Sequence, residues 1–333
     1  MTTSDPGAGQ PATGNRQHAP AGRLLESWRK LNDWLKALLI AFVVIGLTQA
    51  FVLRWVTVRS TSMYATLYPG DLVGVAKWPV WTGFERGDIV VFRNPMQEDR
   101  TMARRQLLIK RIAALPGDVV ELRDGELFVN DVAIGPPPFG TRSWLVRLEP
   151  GTDARSILTE LGLPVGSSST DARQLELPLS EAMARELQNR PGVLTVERMR
   201  PASGAAGHIF PYSPRYAWNA DDYGPLTVPR KGDRLRVDLR TLPLYDRIIT
   251  RYEGNDLEVA KHILSINGEE TKEYPVKQDY YFVLGDSRHY SEDSRYWGFV
   301  PADHLTGRAA FVLLGNDANT GDIRSDRWFM GLP

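Results

Sequence analysis

Leu107-Leu108-Ile109-Lys110-Arg111-Ile112-Ala113-Ala114-Leu115-Pro116-Gly117-Asp118 brings an apolar run up to a lysine and stops at Pro-Gly-Asp. A short apolar run closed by turn residues reads as a buried strand. Burial disfavours the charged ammonium, so a lysine in such a strand has its pKa lowered from ~10.4. A neutral amine can take a proton from a serine hydroxyl, and a serine with a lysine base needs neither histidine nor aspartate. The plainer reading is a strand-end lysine that reaches solvent along its own apolar stem. This segment by itself leaves both open.

A candidate hydroxyl lies upstream, in Ser60-Thr61-Ser62-Met63-Tyr64-Ala65-Thr66-Leu67. The stretch begins seven residues past Leu53, the end of the one long apolar run. Ala37–Leu53 is seventeen residues without a charge, at the short end of the ~17–25 that span a bilayer. Trp34 and Trp55 bracket it as an aromatic belt would. Arg16, Arg23, Arg29, Lys30 and Lys36 precede the run, against Arg54 and Arg59 just after it. That excess predicts a cytoplasmic N-terminus and an extracytoplasmic remainder. A cleaved signal peptide is the rival, with Thr48-Gln49-Ala50 as a weak cleavage match. The long run and the bulky Leu53, Arg54 and Trp55 favour a retained anchor. Ser62, nine residues past Leu53, would then lie within ~30 Å of the membrane edge.

Before the anchor, residues 1 to about 23 are rich in Pro, Gly, Ala, Ser and Thr and predict a disordered tail. Leu24–Lys36 has the spacing of an amphipathic helix. After the anchor, Asp71–Ala76, Asp88–Phe92, Val119–Leu122 and Leu127–Val129 predict short strands, and Arg123-Asp124-Gly125-Glu126 a hairpin turn. Leu257–Val259 and Ile263–Gly268 form a similar pattern. Strands are expected again at Tyr280–Leu284 and Ala309–Leu314. Between the two β-rich blocks, Ile157–Leu161 and Glu181–Leu187 suit short helices. The expected organisation is a tail and juxtamembrane segment over 1–36, an anchor over 37–53, and a catalytic core over 54–138 and 246–333. An inserted α/β lobe is expected over 139–245.

The 333 residues carry 40 Lys and Arg against 40 Asp and Glu. No basic excess argues for nucleic acid. Cysteine is absent, which removes disulfides, thiolate catalysis and cysteine metal sites. No His-Glu-x-x-His spacing or phosphate-cradling glycine loop occurs, so metal and nucleotide chemistry lack support. Of the five histidines, only His289 sits in a segment of interest and is kept as a reserve base. Trp78-Pro79-Val80-Trp81, Phe84 and Trp328-Phe329-Met330 are apolar clusters that suit lipid contact or core packing equally.

Gly285-Asp286-Ser287-Arg288-His289-Tyr290-Ser291-Glu292-Asp293-Ser294-Arg295-Tyr296-Trp297-Gly298-Phe299-Val300-Pro301 is dense in polar groups and then abruptly aromatic. With the Ser62 and Lys110 segments, in this order, and with Gly87-Asp88-Ile89-Val90-Val91-Phe92, it resembles the boxes of type I signal peptidases. These are membrane-anchored Ser–Lys peptidases that remove signal peptides from exported proteins. The resemblance covers roughly 37–130 and 247–315.

The resemblance implies that Ser62 is the nucleophile and Lys110 the general base. It implies an oxyanion hole from the Ser60 hydroxyl and the Ser62 backbone N–H, and a lysine amine oriented by Ser291. Asp293 and Arg295 match a structural ion pair, Asp286 is a further supporting residue, and Met63 lines the substrate pocket. Ala65 departs from the family's usual proline, Ser287 from its common asparagine, and His289-Tyr290 from a common Asp-Asn. The implied substrates are preproteins with small side chains at the first and third residues before the cut, with no cofactor or metal and with the lipid bilayer as a partner. A soluble Ser–Lys self-cleaving regulator would lack the anchor. A non-catalytic membrane-anchored β scaffold would lack a member of the dyad.

Overall fold

In the computed structural model of the protein, which describes residues 32–164, 173–200, 208–317 and 319–333, the Lys110 run is a strand, Leu107–Ala114. It lies in an eight-stranded sheet in the order Leu53–Thr57, Leu72–Ala76, Leu305–Leu314, Ile89–Arg93, Leu107–Ala114, Tyr280–Leu284 and Val300–Pro301. Met330–Gly331 adds to Leu305–Leu314. All the pairings are antiparallel. The protein is mainly β, and the strands expected around residues 71–76, 88–92, 280–284 and 309–314 all fall in this sheet.

The two-residue side-chain period explains the layering. Ile89 and Val91 point into one core with Val73, Val75, Ala309 and Val312. Val90 and Phe92 point into another with Ile112, Val283 and Trp297. Both faces are therefore covered. Two stretches of open edge flank the candidate site. Leu53–Thr57 pairs only with Leu72–Ala76. Leu107–Lys110 pairs only with Ile89–Arg93, because Tyr280–Leu284 joins that strand from Arg111 onward.

Val119–Arg123, Glu126–Val129 and Val132–Ile134 form a meander that Tyr223–Thr227 extends. Its first turn has Asp124 at φ 48° and Gly125 at φ 75°, as the Asp-Gly pair predicts. The hairpin of Leu257–Ala260 and Ile263–Ile266 also forms.

The segment expected as one inserted lobe divides in its packing. Arg142–Leu148, Gln174–Leu179 and Val193–Arg198 make a three-stranded sheet, covered by the helices Ala154–Glu160 and Glu181–Gln188 around a core of their own. The later part packs elsewhere. Ile209, Phe210, Tyr223, Leu226, Leu235 and Leu244 share a core with Val120, Val129, Tyr280 and Phe282. They are the large apolar residues of that stretch, and the meander offers them an uncovered face.

The expected tail, and most of the expected juxtamembrane helix, lie outside the described residues. The first described helix is Asp33–Leu47, capped by the Asn32 side chain, which accepts from the Trp34 N–H at 2.9 Å. A π turn, Thr48–Val52, follows. Leu53, expected as the end of the anchor, is instead the first residue of a strand and pairs with Ala76, since the aromatic and β-branched Leu-Arg-Trp-Val-Thr suits a sheet edge. No residue of the helix is buried. Among the described residues no helix is long and apolar enough to cross a membrane. Of the other apolar clusters, Phe84 packs on Tyr281 with ring centroids 6.0 Å apart, whereas Trp81 and Phe329 are 66% and 70% exposed.

Candidate active site

Ser62 follows the strand Leu53–Thr57 and opens a run of tight turns, in which Tyr64 N–H donates to Thr61 O at 2.9 Å and Leu67 N–H to Met63 O at 2.7 Å. Lys110 comes from the sheet. Its side chain is 3% exposed, and its Nζ lies 2.7 Å from Ser62 Oγ and 3.1 Å from Ile109 O. Burial lowers the Lys110 pKa to about 8, against the opposing pull of Asp293, Glu292 and Asp286. Of the two readings of this lysine, the structure takes the buried one. A group tuned near neutrality and within hydrogen-bond reach of a hydroxyl is placed to act as a base.

Ser60 Oγ lies 3.3 Å from Ser62 Oγ on the exposed side. The Ser62 backbone N–H donates to no group among the described residues. Met63 is buried and its sulfur receives the Asp286 N–H at 3.5 Å.

The third segment braces these groups. Asp293 and Arg295 are fully buried and joined twice, Nε to Oδ1 and Nη2 to Oδ2, both at 2.8 Å. Burial alone would raise the Asp293 carboxyl. The Arg295 charge and hydrogen bonds outweigh that and hold it below the ordinary carboxylate range. Arg295 also donates to Ala220 O at 2.9 Å and to Arg288 O. Asp293 Oδ2 receives the Gly285 N–H at 3.0 Å. Gly285 admits a close approach: a Cβ there would stand 2.6 Å from Ser62 O and against the Ser291 hydroxyl. Ser287 N–H donates to that same Ser62 carbonyl at 3.1 Å. Asp286 is gripped by Arg111 at 2.8 and 2.7 Å and by the Thr66 hydroxyl at 2.6 Å.

Two expectations change. Ser291 is buried beside Gly285, but among the described residues its hydroxyl bonds to no group, Lys110 included. The second bond of the amine goes to its own chain at Ile109 O. His289 is no reserve base. Its Nδ1 accepts the Ser143 N–H at 3.1 Å, so Nε2 carries the proton and donates to Asp221 at 2.9 Å. Arg111, Thr66, Asp221 and Ser143 were not among the expected site residues. Of these only Arg111 had a signal, its position next to Lys110 in the same strand.

A groove of about 420 Å³ is lined by the two open strand edges, Trp55–Ser60 and Gln106–Lys110, and by Ser62 and Met63. Unpaired edges offer backbone N–H and C=O groups to an extended chain, which can add between them as a strand.

A hydroxyl and a buried amine within hydrogen-bond reach, beside a groove, make the arrangement that a serine with a lysine base would need. The family described as "Signal peptidase, peptidase S26" matches residues 31–154 and 224–314, more than half of the chain, and the chain belongs to that family. It is 38% identical over 99 residues to signal peptidase I P of Bacillus subtilis subsp. natto, covering 29% of this chain and 50% of that one. With signal peptidase I of Bacillus licheniformis the identity is 34% over 108 residues, covering 32% and 54%. The chain thus spans about half the length of these curated relatives. A crystal structure of a signal peptidase I from Enterococcus faecalis V583 aligns with 68% of this chain and 96% of its own, at 18% identity and a TM-score of 0.24, too low for an inference about fold.

Proposed function

We propose that the protein is a membrane-anchored serine endopeptidase that removes signal peptides from translocated preproteins. The observation that carries the reading is the buried Lys110 amine 2.7 Å from Ser62 Oγ, at the head of a groove with two open strand edges. The preprotein adds as a strand along the groove and presents its scissile carbonyl to Ser62. Lys110 takes the Ser62 proton as the hydroxyl attacks, and returns it to the leaving amine. Ser60 Oγ and the Ser62 N–H, which has no other acceptor among the described residues, donate to the oxyanion. Water then gives a proton to Lys110 as its oxygen attacks the acyl carbonyl, the bond to Ser62 Oγ breaks, and Lys110 returns the proton to that oxygen. Shallow pockets beside Met63 take small side chains.

The proposed anchor draws on the uncharged run that begins at Ala37, where Leu38, Ile40, Phe42 and Val44 are all more than half exposed. A helix apolar all round needs either protein or lipid around it. The positive charges before it favour an extracytoplasmic catalytic domain, whose exposed Trp81 and Phe329 meet the bilayer surface.

Incubating the purified full-length enzyme with a preprotein tests the reading. Ser62→Ala and Lys110→Met are each expected to abolish processing while the fold persists, because nucleophile and base act as a unit. Cleavage near the parent rate in either variant would refute the dyad. Protease added to spheroplasts should digest the large domain; loss of the N-terminal tail alone would reverse the orientation.

A further inference from the structure

The turn that carries Ser62 is held by two cores at once. Met63 and Leu67 pack into the sheet core with Val73 and Ile89. Tyr64, directly after Met63, is fully buried in the separate core of the lobe, with Ile157, Leu175 and Leu187, and its hydroxyl donates to Leu161 O at 2.5 Å. Ala65 and Tyr68 pack against that lobe core as well. Ala65 sits at φ 70°, a left-handed conformation that side chains disfavour and that proline, fixed near −65°, cannot adopt. The turn therefore keeps its shape through what grips it on either side.

The same lobe grips the opposing loop. Thr141, just before its first strand, receives and returns backbone bonds: Thr141 N–H donates to Asp286 O at 2.9 Å and Arg288 N–H to Thr141 O at 3.0 Å. Ser143 N–H donates to His289 at 3.1 Å, while the Ser143 hydroxyl is tied to Glu176 of the neighbouring lobe strand at 2.5 Å. One small, independently packed sheet thus touches both the segment that carries Ser62 and the segment whose Gly285 and Ser287 lie against the Ser62 carbonyl.

We propose that this lobe is a positioning device for the reaction and that Tyr64 is its main positioning residue, with His289 its counterpart on the opposing loop. The inference rests on reading Ser62 and Lys110 as nucleophile and base. Tyr64 touches no reacting atom. Its ring converts the rigidity of the lobe into a fixed place for the Ser62 turn, and a displacement of about 1 Å at such a site can cost on the order of 10² in rate. The groove edges at Trp55–Ser60 and Gln106–Lys110 belong to the main sheet and its flanks, so apart from Met63 in the turn itself the residues that would bind substrate do not depend on the lobe.

The test compares the full-length enzyme with Tyr64→Ala, Tyr64→Phe, His289→Ala and Ser62→Ala on a preprotein, each below its melting transition and with rates normalised to folded protein. Tyr64→Ala should lose roughly 10–100-fold in kcat with KM within about threefold, while Tyr64→Phe, which keeps the ring, stays within about fivefold. A role in stability alone would move the melting temperature and leave kcat per folded molecule unchanged. That result overturns the proposal, as does a loss carried by KM alone. If Tyr64→Ala does not fold, His289→Ala decides: a kcat loss of about tenfold upholds the proposal, and an unchanged kcat overturns it. An inactive Ser62→Ala beside an unimpaired Tyr64→Ala sinks the lobe's role alone. An active Ser62→Ala sinks the dyad, and the proposal with it.

Discussion

The Ser62 turn and the Asp286–Arg295 loop meet at one carbonyl, yet they are built in opposite ways. Around Ser62 and Lys110 polar bonds are few: one to each other and one from the amine to Ile109 O, with the Ser60 hydroxyl 3.3 Å away. The opposing loop is dense. Asp293, Arg295, Asp286 and His289 are each engaged more than once, by Arg111, Thr66, Gly285, Ala220, Asp221 and Ser143. Groups that must react need lone pairs and protons left uncommitted, whereas the groups that hold them in place can be saturated. Breaking the dense side should therefore cost the fold, and breaking the sparse side only the rate.

The largest effect is expected on the dense side. Asp293→Ala leaves the Arg295 guanidinium buried with no counter-charge, at a cost of about 3–5 kcal/mol. The melting temperature should fall steeply and activity with it. A variant that melts like the parent would show that the pair is dispensable and that the dense side does not hold the fold. On the sparse side, Ser60→Ala should lower kcat by roughly 10²–10³ with little change in KM or melting temperature. A rate within a few-fold of the parent would remove Ser60 from the site and leave Ser62 and Lys110 untouched.

The mildest perturbation is a change of pH, which leaves every side chain in place. In the proposed mechanism the active form of Lys110 is the neutral one. Its proportion rises as pH climbs through about 8 and falls about tenfold for each unit below. The log of the rate should thus rise with slope near one up to about pH 8 and then level off. A profile that falls between pH 5 and pH 8 would contradict a neutral-lysine base.

The residues proposed to carry the chemistry could be singled out in the sequence because each sits in a local pattern. An apolar strand flanks Lys110, turn residues surround Ser62, and the Asp293–Arg295 pair is two residues apart. The supporting contacts were not legible, since they join distant positions. Arg111 to Asp286 spans 175 residues, and Tyr64 to Leu161 spans 97. Neither periodicity nor spacing records such partners. The division of residues 139–245 between two cores was hidden for the same reason: an apolar residue shows that it will be buried, not against which neighbour. Leu53 was misassigned because hydropathy does not distinguish the end of an apolar helix from the start of an apolar strand.

The burial of Lys110 has a consequence for folding as well as for catalysis. A lysine whose pKa falls from 10.5 to about 8 on folding destabilises the native state by about 3 kcal/mol at pH 7, at ~1.36 kcal/mol per unit. The sign follows from proton binding. Between about pH 8 and 10.5 the unfolded chain holds a proton that the folded chain has released, so stability climbs with pH across that window. Below about pH 8 both forms are charged and the penalty is complete; above 10.5 both are neutral and it is gone. The folded protein is thus kept less stable than its fold allows by the residue proposed as its base, and Lys110→Met, which removes that charge, should melt at a higher temperature than the parent at neutral pH.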